Sequence, residues 1–92
     1  MGFHSYVLAP GVNVRPEKFG LLFYDYRGPR LYFLPSKDWV PAEFFDGIAD
    51  SSELVESLHQ KYGWSKDLIW RRMSGIFTML EAKGLIHEQP IC

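Results

Sequence analysis

The run RPEKFGLLFYDYRGPRLYFL, residues 15–34, constrains this chain more than any other stretch. It reads as two strands, residues 21–26 and 30–34, around an Arg27-Gly28-Pro29 turn. Successive side chains of a strand point to opposite faces. In the first strand Leu21, Phe23 and Asp25 share one face, and Leu22, Tyr24 and Tyr26 the other. In the second, Leu31 and Phe33 oppose Arg30, Tyr32 and Leu34. An ordinary surface hairpin keeps one face polar; this one carries bulk on both. A layer of helices covers only one face, and tyrosine tolerates the half-wet side because its hydroxyl reaches water.

The outer edge of that hairpin is also unusual. Residues 12–15, Val-Asn-Val-Arg, alternate with period two and read as a strand that pairs with 21–26; Pro16 donates nothing to a ladder, so the strand ends there or lies on an edge. Strand 30–34 is then an edge. Edges are normally blunted by lysine, proline or a bulge; here Pro29 and Pro35 flank the strand and none lies within Leu31–Leu34. Such an edge accepts an added peptide strand through its main chain. The other reading is that the last helix, the N-terminal segment or a second subunit covers it.

Beyond Pro35 the pattern turns helical. Asp38 reads as an N-cap, with Pro41 in the first turn and Val40, Phe44, Phe45 and Ile48 on one face. Asp50-Ser51-Ser52-Glu53 resembles a capping box, Leu54, Val55, Leu58 and Tyr62 follow on one side, and Gly63 ends that helix. Ser65 caps a last helix along which Ile69, Met73, Ile76, Phe77 and Leu80 recur at helical spacing, ended by Lys83-Gly84. Tyr6–Leu8 is a short apolar run, and Leu85-Ile86 a short tail strand or packed extension. The expected fold class is α+β: a small winged-helix-like domain, a three-stranded antiparallel sheet followed by three helices, in one domain over residues 1–92.

Residue chemistry excludes more than it selects. The net charge is −1, against the basic field of a general nucleic-acid binder. Cys92 is the one cysteine, so no internal disulfide or CxxC knuckle forms. No apolar run approaches the roughly 20 residues of a membrane helix, and the N-terminus lacks a secretory pattern. A reduced, cytoplasmic, non-membrane protein is expected. His4, His59 and His87 have no metal-ligand spacing. Glu17 and Asp25 are candidate paired carboxylates, but nothing supplies an acid–base partner, and a loop Glu beside a strand-end Asp is the simpler reading. Arg71-Arg72 on the last helix suggests a winged-helix DNA-binding regulator as the alternative function. That helix carries few cations, and its wing offers only Arg27 and Arg30.

The run VNVRPEKFGLLFYDYRGPRLYFL resembles the signature of the mycofactocin-system peptide chaperones. Arg15, Pro16, Glu17, Phe19 and Gly20 match its R-P-E-x-F-G motif; Tyr24 stands in the aromatic-bearing strand, and Arg30, Leu31, Phe33 and Leu34 match R-L-x-F-L. More broadly the chain is similar to the PqqD-like domains called RiPP recognition elements. The resemblance implies a non-catalytic chaperone without a cofactor of its own. Such a protein holds the leader of a ribosomally made precursor peptide as an extra strand and presents it to a radical SAM maturase, which carries the iron–sulfur cluster and SAM. It implies a groove between strand 30–34 and the last helix, formed by Arg30, Leu31, Tyr32, Phe33 and Leu34 on the strand. On the helix, the flank Leu68, Arg72, Met79 and Lys83 suits an acidic peptide, in preference to the flank of Trp70, Ser74, Phe77 and Glu81. Arg15 and Glu17 are expected to order the turn after the first strand. A monomer or weak dimer is expected.

Overall fold

The computed structural model describes residues 4–47 and 49–90. Ile48 and Cys92 lie outside the described residues. The chain runs β1 (His4–Leu8), β2 (Val12–Glu17), β3 (Gly20–Asp25), β4 (Arg30–Leu34), a 3-10 turn (Ala42–Phe45), α1 (Ser51–Tyr62), α2 (Lys66–Ala82) and β5 (Ile86–Pro90). It forms two antiparallel sheets, β2-β3-β4 and β1-β5.

The α+β class holds, but the winged-helix-like arrangement of one sheet followed by three helices does not: there are two helices and two sheets. The expected first helix is a 3-10 turn of four residues. Adjacent residues on an α-helix point about 100° apart, yet Phe44 and Phe45 are both buried, and both rings meet Phe77. Phe44 stacks on Phe77 at 5.3 Å and Phe45 meets Phe23 edge-on at 5.5 Å. Gly47, at φ 85°, then takes the left-handed conformation that ends helical winding. Asp38 caps nothing; it accepts from Lys61 Nζ and Tyr62 Oη on α1, which lower its carboxyl to about pKa 2.

The additional sheet joins the two ends of the chain. Tyr6 pairs with Glu88 and Leu8 with Ile86, and Ala9 N–H donates to Leu85 O at 3.0 Å. β5 is mostly polar, and its pairing partner lies at the far end of the sequence, so local patterning does not reveal it. Tyr6 packs 4.5 Å from Phe77, carrying β1 into the core.

The two helices form for the reasons their ends display. Asp50 accepts from Glu53 N–H while Glu53 closes back on Asp50 N–H, a complete capping box. Gly63 at φ 73° ends α1 in the left-handed region. Ser65 Oγ accepts from Leu68 N–H at the start of α2. Leu54, Val55 and Leu58 on α1 and Ile69, Met73, Phe77 and Leu80 on α2 are buried in one core with Leu21, Phe23 and Leu34 of the three-stranded sheet. Tyr62 and Ile76 are half-buried. His59 is half-buried too, donating from Nδ1 to Trp64 O at 2.6 Å, rather than standing on the open side of α1.

Candidate functional site: the open edge of β4

The phase of the β2-β3-β4 ladder decides which main-chain groups face outward. Glu17 pairs with Gly20 around the two-residue turn Lys18-Phe19, and Tyr26 N–H donates to Gly11 O at 2.8 Å. Antiparallel pairs alternate between hydrogen-bonded and non-bonded, so Leu22 and Tyr24 bond toward β2. Leu21, Phe23 and Asp25 bond toward β4, where they pair with Leu34, Tyr32 and Arg30. The N–H and C=O groups of Leu31 and Phe33 therefore point away from the sheet. Among the described residues no strand pairs with that edge.

Side chains sort by the same register. Leu21, Phe23, Asp25 and Leu34 face the helices and are buried. Leu31 and Phe33 lie on the outer face beside Tyr24 and Leu22, with 63% and 42% of their surface exposed. Exposed main chain and exposed apolar side chains thus coincide at two residues of one strand.

Asp25 ties this edge to α2. Its carboxylate is 2% exposed and accepts from Arg27 N–H, Arg27 Nε at 3.0 Å and Arg30 Nη2 at 2.7 Å. Hydrogen bonds from Arg27 first, then Arg30, hold it well below the usual carboxylate range. Arg27 also donates to Gly84 O at 2.8 Å. The β3–β4 turn, the first residue of β4 and the end of α2 are held as one unit. Sequence reasoning took Asp25 for a plain strand-end residue; the signal for its burial is its place on the Leu21/Phe23 face. Glu17 pairs instead with Arg15 at 2.7 Å, on the exposed side of β2, so the two carboxylates do not come together.

Of the residues expected on the helix, Lys83 reaches β4. Its Nζ stands 4.7 Å over the Tyr32 ring. Arg30, Leu31, Tyr32, Lys83 and Leu85 line a hollow of about 170 Å³ between the strand and the helix end. Met79 is half-buried against the core, while Leu68 and Arg72 are exposed. At 1.5 Å rise per residue, Arg72 and Leu68 lie roughly 16 and 22 Å up the axis from Lys83. They are not part of the hollow. Phe77 on the other flank packs on Tyr6, and the Glu81 charge helps raise the Tyr6 pKa after desolvation and Glu88, so that flank faces the β1-β5 sheet.

A family model for the peptide chaperone MftB family matches residues 5–87, from β1 into β5. The chain belongs to the MftB peptide chaperone family. No curated protein and no solved structure matches it significantly. In this MftB-family member the motif glycine has a direct cause. A Cβ on Gly20 would sit 1.9 Å from Leu34 O and 2.9 Å from Ser36 N, so the end of β4 passes where any side chain would stand. Arg15 and Glu17 of the same motif pair with each other across the exposed face of β2. Among the described residues no cluster of His, Cys, Asp and Glu could hold a metal ion, and no helix is long and apolar enough to cross a membrane.

Proposed function

We propose that this MftB-family chain binds the leader of a ribosomally made precursor peptide as an added strand on β4 and presents it to a radical SAM maturase. The observation that carries this reading is the edge itself: Leu31 and Phe33 turn unpaired main chain outward beside the Tyr32–Lys83 hollow. Main-chain hydrogen bonds supply affinity in this mode, and alternate side-chain sites supply selection. The peptide strand occupies Arg30–Leu34, and Lys83 offers it a cation. Met79, Arg72 and Leu68 extend the same helical flank toward further leader residues. The iron–sulfur cluster and SAM belong to the maturase, and the chaperone acts as a peptide carrier in the PqqD-like manner, in the cytoplasm.

The charges give the alternative, a DNA-binding regulator, no support. Lys66 pairs with Glu56 and Arg71 with Asp67, while Arg27 and Arg30 are held by Asp25. Arg72 and Lys83 remain on α2 without an ion pair among the described residues, too few for a phosphate-tracking surface.

The test is fluorescence anisotropy of a labelled leader peptide from a mycofactocin-type precursor, followed by addition of a radical SAM maturase. Saturable leader binding and a further rise with the maturase are expected. No binding of the leader, with duplex DNA bound instead, would overturn the reading.

A further inference from the structure

A strand added to β4 is read on two faces at once, and the two faces differ chemically. Cross-strand neighbours in a sheet share a face. Ligand residues placed beside Leu31 and Phe33 therefore project onto the outer face, next to exposed apolar side chains. The residue between them projects inward beside Tyr32, where Lys83 stands over the ring. Lys83 forms no ion pair among the described residues. The outer patch continues past Leu31 into Tyr24 and Tyr26, whose rings lie 4.2 Å apart.

Resting on the reading that β4 takes a peptide strand, we propose that the site selects an apolar–acidic–apolar triplet. The outer sheet face is part of the peptide site, and its occupants are the two apolar side chains of that triplet. Each lies against Leu31 or Phe33 and removes apolar surface from water on both partners. The central carboxylate meets the Lys83 ammonium at the mouth of the hollow. Arg30 contributes less to this charge, because Asp25 already holds its guanidinium. The triplet reads the same in both directions, so the selection does not depend on whether the added strand is parallel or antiparallel.

The test uses two synthetic peptides of identical composition in a Ser/Gly/Thr host, one with a central Leu-Glu-Leu and one with Leu-Leu-Glu. Binding is followed by amide NMR of the labelled full chain, with sedimentation velocity on the same samples. Leu-Glu-Leu should bind roughly tenfold tighter, with shifts at Leu31, Phe33 and Lys83. Leu31→Ser with Phe33→Ser should abolish the preference for flanking leucines, and Lys83→Gln should abolish the preference for the central glutamate. Equal affinities, with both peptides shifting the β4 amides, would overturn the triplet and leave strand addition standing. Shifts that miss β4 while the leader still binds would overturn strand addition itself. Dimerisation that buries Leu31 and Phe33 in the peptide-free chain, unrelieved by peptide, would give the outer face to a second copy and overturn the proposal.

Discussion

The two edges of the three-stranded sheet are built from similar lengths of chain and end in opposite states. On β2 the residues turned outward are Val12, Val14 and Pro16, because Asn13, Arg15 and Glu17 bond toward β3. Val12 N–H is already spent on Ala9 O at 3.0 Å, and Pro16 has no N–H to offer. One donor, Val14, is left on that side, and the salt-bridged Arg15–Glu17 pair lies along the exposed face. On β4 both outward residues keep a donor and an acceptor, and the strand's proline neighbours stand outside it. One edge is closed by its own sequence and the other is left open.

Four perturbations, taken from the largest effect to the smallest, and one control on the closed edge break or sharpen this contrast. Gly20→Ala pushes a methyl group into the Leu34 carbonyl, and backbone cannot yield as a side-chain tip can. It should cost about 3 kcal/mol in urea unfolding, near the upper end for overpacking, and loosen the end of β4. Leu31→Pro removes an outward N–H and should weaken leader binding roughly thirtyfold, about 2 kcal/mol, while Leu31→Ala does far less. Val14→Pro on the closed edge should leave leader affinity unchanged; an equal loss at the two edges would erase the distinction. Lys83→Glu should lower the affinity of an acidic leader about fivefold at low salt and flatten its salt dependence, as measured by anisotropy across ionic strengths.

The fourth perturbation concerns the clamp that holds the open edge beside α2. The Asp25 pKa is lowered by Arg27 and Arg30, so its contribution to stability is complete above the ordinary aspartate value of 3.8 and drains away as pH falls below that through the lower folded value. The native chain should lose stability below about pH 4, and Asp25→Asn should show a shallower acid limb in thermal unfolding.

The strands and alternation of the hairpin and the caps of α1 and α2 were legible because their causes are local. Asp50, Ser65, Gly63 and Gly84 each act within one turn of chain. The β1-β5 pairing was not legible, because His4–Leu8 and Ile86–Pro90 lie far apart in the sequence and neither segment's pattern points to the other. The Val40–Phe45 segment misled because Val40, Phe44 and Phe45 are all buried in the core, which mimics helical burial over one turn. At the candidate site, Arg30, Leu31 and Tyr32 of the hairpin stand beside Lys83 at the helix end, while Phe33 lies on the outer face and Leu34 in the core. The reach of Arg27 from the Asp25 clamp to Gly84 O could not be read, because it depends on where the α2 terminus lands.

Amide hydrogen exchange on the leader-bound chain tests the central claim most directly. Strand addition at the open edge predicts that the Leu31 and Phe33 amides, turned outward and fast-exchanging in the free chain, become protected while Val14 does not change. Protection at Val14, or leader binding that leaves Leu31 and Phe33 exchanging as before, would contradict it.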